Sequence, residues 1–322
     1  MASTTIVATA PVDDMVGEVL APHGRLVTAP TPDEATVMTM LGDCVGLVVR
    51  GDATVSAELI AAGPRLRVIG RTGVGYNSID VAAATERRIP VIYTPGAGAR
   101  AVAEASMTLM LTLCKRVAHW DEQTKQGNWL SRYEQPPGDL DRRTVGIVGF
   151  GRIGQILATM ARPFDMNILA HDPYASAERA DELGVRLVDL DVLLAESDFI
   201  CVHALLNDET RGLIDRARLQ RVKRGAFLIN LARGGLIESL DVVEEALADG
   251  RLAGAGLDVF DPEPPDHTHP IFRRANCITA PHCLGASRQA MTNIFASMAD
   301  DMNAVLSGRR PQHIVNPEVL DG

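Results

Sequence analysis

Three glycines have the spacing of a phosphate-binding turn, Gly149-x-Gly151-x-x-Gly154. The apolar run Val145 to Val148 precedes them and a helical pattern from Gln155 to Ala161 follows. In a strand–turn–helix of this kind the first glycine allows the tight turn. The second lets the backbone approach a pyrophosphate, and the third lets helix and strand pack closely. The helix N-terminus then offers free N–H groups and the positive end of its dipole to an anion. The next strand ends at Asp172, about 20 residues on, where a carboxylate accepts from ribose hydroxyls. That carboxylate would repel a 2′-phosphate, and Pro173-Tyr174 supplies no basic substitute, so the expected cofactor is NAD rather than NADP. Glycines at this spacing mark many ordinary turns. The reading rests on strand, turn, helix, strand and acid occurring in order.

Other reactive side chains point less clearly. His267 and His269 form a His-x-His pair, but no Cys or further His stands at ligand spacing, and no metal is expected. Cys44, Cys114, Cys201, Cys277 and Cys283 include no Cys-x-x-Cys pair, which disfavours a zinc ribbon or disulfide framework and fits a reducing compartment. Cys283, next to His282, reads as a small buried side chain, with a reactive thiol as the alternative.

The turn needs a scaffold, and two strand–helix series supply one. The first has β-rich runs at Thr5–Ala8, Val45–Val49, Leu66–Gly70 and Pro90–Tyr93, with helix-like stretches at Ser56–Ala62 and Ile79–Arg88. A long helical pattern, Val102 to Trp120, and a polar, proline-containing stretch, Asp121 to Asp141, come next. The second series has six runs: Val145–Gly149, Asn167–His171, Phe199–Ala204, Ala226–Leu231, Gly254–Val259 and Ile278–Ala280. Such alternation predicts an α/β protein with two Rossmann-like parallel-sheet domains. The last helix, roughly Arg288 to Ser307, is expected to return to the first domain and make it discontinuous. The predicted division is residues 1–103 with 288–322, flavodoxin-like, for substrate, and 104–287 for NAD, with a helix and arm at 104–141 to which the resemblance given below assigns an interface.

A chain of 322 residues with 46% apolar composition can bury two cores. Its net charge of −10 argues against sequence-independent nucleic-acid binding, which needs a basic face. The first residues lack the basic start and apolar run of an export signal, and no stretch of 18 apolar residues occurs. A cytoplasmic protein with no membrane partner is expected.

Ordered blocks from about Val48 to Arg288 carry a family resemblance. They include Val68-Ile69-Gly70-Arg71-Thr72-Gly73-Val74-Gly75, Thr94-Pro95 and Val102-Ala103-Glu104. Asn230 to Gly235, Leu257 to Phe260, Glu263-Pro264 and Pro281-His282 follow. The chain resembles the D-isomer-specific 2-hydroxyacid dehydrogenases, most of all their phosphoglycerate dehydrogenase branch. The resemblance implies Arg233, Glu263 and His282 as catalytic residues. It further implies cofactor contacts at Gly149, Gly151, Arg152, Ile153, Gly154, Asp172, Ala204, Ala232, Arg233, Asp258, His282 and Gly285. For substrate it implies Arg50, Val74, Gly75, Arg233 and His282, with Val74 and Gly75 offering backbone N–H groups to a carboxylate.

The chemistry of the trio makes sense unaided. A 2-keto acid carries a carboxylate that an Arg fork grips in a bidentate way. Hydride transfer to its carbonyl carbon leaves an alkoxide that needs a proton, and histidine is a fitting donor. A carboxylate beside the ring holds its orientation. Singly, Arg233, Glu263 and His282 each read as a loop or structural residue; the ordered trio behind the nucleotide turn gives them meaning.

Together these features predict an NAD-dependent dehydrogenase acting on the CH-OH group of a small anionic 2-hydroxy/2-keto acid, with 3-phosphoglycerate as the first candidate. A glyoxylate/hydroxypyruvate reductase is the alternative within the class, and an NAD-sensing binding module the alternative outside it. Arg71, Arg100 and Arg132 join Arg50 as candidates to meet a second anionic group, or stand as solvated arginines. Three departures from the family pattern bear on substrate: Gly98 where Asn is frequent, Ala204-Leu205 in place of Thr-Pro, and Cys283 as one extra residue. By resemblance, the interface helix and arm, with Trp120 and Trp129, form a homodimer contact.

Overall fold

The computed structural model describes residues 4–51, 53–134 and 136–321. Expectations touching residues 1–3, Gln135 in the arm and Gly322 lie outside the described residues. The chain divides into two compact units, one running up to Gly98 and resuming at Arg288, the other Ala99–Ser287. The expected boundary at Ala103/Glu104 falls inside a continuous helix, Ala99–Cys114, whose apolar face packs within the second unit.

In the first unit, β1 (Thr5–Ala8), β2 (Arg25–Thr28), β3 (Cys44–Val49), β4 (Val68–Arg71) and β5 (Val91–Ile92) form a parallel sheet in the order β2-β1-β3-β4-β5. This is the flavodoxin-like order. Strand β3 is buried along its whole length, as a central parallel strand should be. Strand β2 was not among the expected strands. It lies at the sheet edge with its end residues exposed, so its sequence carries no apolar run. The helices begin where short polar side chains cap them: Ser56 accepts from Leu59 N, and Asp80 from Ala83 N. The final helix, Arg288–Leu306, lays Phe295, Met298 and Met302 into the core of this unit beside Ile6, Val48 and Val68. The unit is therefore discontinuous in sequence.

In the second unit, β6 (Thr144–Val148), β7 (Asn167–His171), β8 (Arg186–Leu187), β9 (Phe199–Val202), β10 (Ala226–Asn230), β11 (Leu252–Leu257) and β12 (Cys277–Thr279) form a parallel sheet. Its order is β12-β11-β10-β9-β6-β7-β8, a doubly wound Rossmann sheet. It has seven strands, not the expected six, because β8 is a two-residue edge strand too short for a sequence signal. The register pairs Val148 with both His171 and Val202, and Asn230 with both Val202 and Leu257. The residues following each strand therefore emerge at one level.

The single helix expected over Val102–Trp120 is two. Ala99–Cys114 ends where Arg116 turns left-handed (φ 53°), and Val117–Lys125 follows. The Cys114 carbonyl leaves the helical ladder to accept from Gly138 N, 2.9 Å away. No helix among the described residues is long and apolar enough to cross a membrane.

Candidate active site

The turn after β6 is built by close backbone approach. Gly149 has φ 95°, in the region that favours glycine. A β-carbon there would sit 2.5 Å from the Ala204 amide nitrogen. At Gly154 it would sit 2.4 Å from the Gly149 carbonyl oxygen, because the helix Arg152–Ala161 is pressed onto the strand end. At Gly151 a β-carbon would meet nothing within 4 Å. Gly151 is the N-cap of that helix and brings no side chain to cap it, so the first-turn N–H groups stay open. Two tight glycines and one open one make a cradle that a pyrophosphate fits. The exposed Arg152 and half-buried Ile153 flank it.

Asp172 stands at the end of β7. Its carboxylate accepts from Phe150 N and Tyr174 N, both at 2.9 Å, which ties the acid to the glycine turn. That bond fixes the carboxylate where a ribose bound over the turn would meet it.

The remaining groups emerge from the next strands. After β10, the side chain of fully buried Asn230 holds the loop: its amide donates to the Arg233 carbonyl at 2.9 Å and its oxygen accepts from Ala232 N at 3.0 Å. Asn230 was given no role from the sequence. Its traces there are its place in the block Asn230 to Gly235 and a polar residue closing an apolar strand. A β-carbon at Gly234 would lie 2.0 Å from the Phe260 carbonyl carbon, so this glycine lets the Arg233 loop lie against the segment after β11. Burial pushes the Arg233 guanidinium pKa down, and the nearby Glu263 carboxylate works against that.

After β11, Asp258 is 3% exposed and accepts from Cys283 N at 2.9 Å and Leu284 N at 3.1 Å. Burial holds its carboxyl above the ordinary value despite those bonds. Its own carbonyl accepts from His282 N at 2.8 Å. Asp258 thus shapes the turn after β12, where His282 takes a left-handed conformation (φ 51°). His282 Nδ1 lies 2.8 Å from Glu263 Oε2, and Glu263 Oε1 accepts from Phe260 N at 2.9 Å. His282 Nε2 has no partner among the described residues and is half exposed. Gly285 follows, under the Val102 side chain. Cys283 is exposed rather than buried, because its N–H turns inward to Asp258 and its side chain does not. Five strand ends of one parallel sheet therefore carry Gly149, Ala204, Arg233, Glu263 and His282, at the edge where doubly wound sheets bind ligands.

A crevice of about 440 Å³, lined by Arg116, His119, Arg143, Phe199, Phe227 and Asn276 among others, opens at the opposite, N-terminal ends of these strands and shares none of those residues. His269 turns to Asp241 Oδ1 at 3.0 Å. Among the described residues no group of three His, Cys, Asp or Glu is placed to hold a metal ion.

In the first unit, the loop Thr72–Gly75 leaves β4. The N–H groups of Val74 and Gly75 have no acceptor among the described residues. Arg50 donates from Nη1 to the Pro11 carbonyl and lies over the Phe295 ring at 5.4 Å. Arg100 pairs with Glu104 at 2.9 Å. Arg132 lies over the rings of Trp129 (4.9 Å) and Tyr133 (4.7 Å).

Comparison with known proteins places these features in a wider group. Residues 107–283 match the family model for the NAD-binding domain of D-isomer specific 2-hydroxyacid dehydrogenases. The chain is 38% identical over 270 residues to a D-3-phosphoglycerate dehydrogenase of Archaeoglobus fulgidus, covering 84% of this chain and 51% of that protein. It is 36% identical over 292 residues to a glyoxylate reductase of Korarchaeum cryptofilum, covering 90% and 88%. The chain thus spans about half the length of the phosphoglycerate dehydrogenases it matches, such as that from Archaeoglobus, and most of the glyoxylate reductase. A D-lactate dehydrogenase of Aquifex aeolicus, solved with NAD and lactic acid, superposes with a TM-score of 0.87 at 27% identity, over 97% of this chain and 99% of that one.

Proposed function

Because the chain belongs to the D-isomer specific 2-hydroxyacid dehydrogenase family and carries its NAD-binding domain, we propose that it interconverts a small 2-keto acid and its D-2-hydroxy acid. The observation that carries this reading is the His282–Glu263 pair beside the half-buried Arg233, at the strand ends that also form the dinucleotide cradle. Bound in that cradle, NAD would supply or accept the hydride at the substrate carbon. Gly149, Gly151 and Gly154 with Arg152 and Ile153 hold the pyrophosphate, and Asp172 the adenosine ribose. Ala204, Ala232, Asp258 and Gly285 line the same edge.

Arg233 grips the substrate carboxylate and draws on the keto oxygen. Its burial strengthens that grip, because a desolvated guanidinium meets its anion in a low dielectric. His282 moves the proton: with Nδ1 engaged by Glu263, Nε2 is the atom that gives a proton to the keto oxygen in reduction and takes it back in oxidation. Glu263 orients the ring. Val74 and Gly75 offer N–H groups to a carboxylate, and Arg50 stands as the nearby basic residue.

For the substrate, 3-phosphoglycerate is the first candidate, supported by likeness to phosphoglycerate dehydrogenases. Glyoxylate or hydroxypyruvate is the second reading, favoured by the near full-length match to a glyoxylate reductase. An assay of glyoxylate, hydroxypyruvate and its 3-phospho derivative with NADH separates them. Preference for the phosphorylated acid supports the first reading, and indifference to phosphate sinks it. Loss of NADH oxidation in His282→Ala, with NAD binding retained, distinguishes a dehydrogenase from an NAD-sensing module.

A homodimer is proposed on the exposed Val117, Trp129, Leu130 and Tyr133, which stand together along 117–133; sedimentation at two loading concentrations tests it. The free cysteines fit the reducing cytoplasm.

A further inference from the structure

Arg71, the last residue of β4, is with Arg50 one of the basic side chains that resemblance offers for a second anionic group on the substrate. Its guanidinium is engaged elsewhere. Nε donates to the Gly75 carbonyl at 2.8 Å and Nη1 to the Gly51 carbonyl at 2.7 Å. One fork therefore ties the chain after β3 to the far side of the loop that starts at Thr72.

The near side of the loop is clamped too. Thr94, 1% exposed, donates its N–H to the Gly73 carbonyl and accepts from Gly73 N at Oγ1, both at 3.0 Å. Thr72 donates to the Val49 carbonyl from its N–H at 3.0 Å and its hydroxyl at 3.2 Å. A trans peptide points its N–H away from its C=O. With the Gly73 carbonyl held toward Thr94, the Val74 N–H faces the other way. With the Gly75 carbonyl held by Arg71, the peptide after Gly75 is fixed as well. The Val74–Gly75 peptide lies between two anchored neighbours, and the N–H groups of Val74 and Gly75 stay open.

We propose that Arg71 is a positioning residue: it sets the Thr72–Gly75 loop so that backbone N–H groups meet the carboxylate shared by all 2-keto acids, and it does not select a phosphate. This rests on the reading of the chain as a 2-hydroxyacid dehydrogenase. Arg71→Met then lowers kcat/KM by about tenfold or more, and by the same factor for hydroxypyruvate and its 3-phospho derivative, since a small displacement of a binding group acts on every substrate alike. The loss appears mainly in KM. Arg71→Lys fails to rescue it, because a single ammonium cannot span the Gly75 and Gly51 carbonyls as a fork does.

A loss confined to the phosphorylated acid, full rescue by lysine, or wild-type kinetics in Arg71→Met would each overturn the proposal. Should the wild-type protein reduce none of the acids, the dehydrogenase reading falls by itself. The role of Arg71 is then read from calorimetric binding of oxamate. Weaker binding in Arg71→Met supports the proposal, and unchanged binding defeats it.

Discussion

Glu263 divides its carboxylate between two partners: Oε2 meets His282 Nδ1 at 2.8 Å, and Oε1 accepts from the Phe260 N–H at 2.9 Å. The backbone bond holds the carboxylate still, so the carboxylate can hold the ring still. Glu263→Gln keeps an acceptor for Phe260 but turns an amide toward Nδ1 and removes the charge. We expect kcat to fall about 100-fold with NAD affinity unchanged, read by steady-state kinetics and fluorescence titration. A variant as fast as wild type would remove Glu263 from the proton-transfer machinery.

The three glycines of the turn should fail in different ways. Gly154→Ala drives a β-carbon to 2.4 Å from the Gly149 carbonyl and lowers the melting temperature, because backbone must move. Gly151→Ala meets open space at a negative φ and leaves the melting temperature of the free protein near wild type. Its cost appears on binding: the methyl group stands where the pyrophosphate approaches, and NAD affinity falls about tenfold or more. Equal loss of stability in both variants would contradict this division of roles.

Gly149 and Gly154 were legible because a backbone approach that admits no β-carbon restricts the residue type, and Gly151 because it stands between them at the spacing of a phosphate-binding turn. The central strands were legible for a similar reason: full burial on both faces demands an apolar run, as in β3. What the sequence hid depends on side chains bonded to loop backbone. Asn230 holding the Arg233 loop and Arg71 reaching Gly51 and Gly75 leave no periodic pattern. The edge strands β2 and β8 hid because exposed or two-residue strands carry no hydrophobic signature. The helix break at Arg116 hid because Gly138, which takes up the Cys114 carbonyl there, lies far along the chain. Cys283 was misread as buried because a free cysteine behaves as a small apolar side chain, whereas Asp258 captures its backbone and leaves its side chain outside.

Asp172 bonds two backbone N–H groups and still has lone pairs for ribose hydroxyls. The same negative charge would face a 2′-phosphate. Asp172→Ala should weaken NAD about tenfold and weaken NADP less, so the NAD/NADP ratio of kcat/KM narrows. Measuring both cofactors in both proteins checks this, and an unchanged ratio would count against the ribose role.

His203 follows β9 directly, and its pKa is pushed down to about 4 by burial. Ser106 Oγ donates to the Val102 carbonyl at 3.0 Å, so its oxygen is left to accept from His203 Nε2, 3.3 Å away. The ring is then the neutral Nε2–H tautomer, with Nδ1 buried and without a partner among the described residues. A proton added to Nδ1 would have no acceptor. In the unfolded chain the same histidine titrates near its ordinary value of 6.5. Between about pH 6.5 and pH 4 the unfolded state therefore binds more protons than the folded one. The stability from a neutral His203 is present above pH 6.5 and is lost as the pH falls toward 4. His203→Gln keeps a side-chain donor for Ser106 but cannot titrate. Over this window its melting temperature should fall less steeply than that of the wild type, and thermal scans at half-unit pH steps measure the difference. Parallel curves would mean that His203 is protonated as readily in the folded protein as in the unfolded chain.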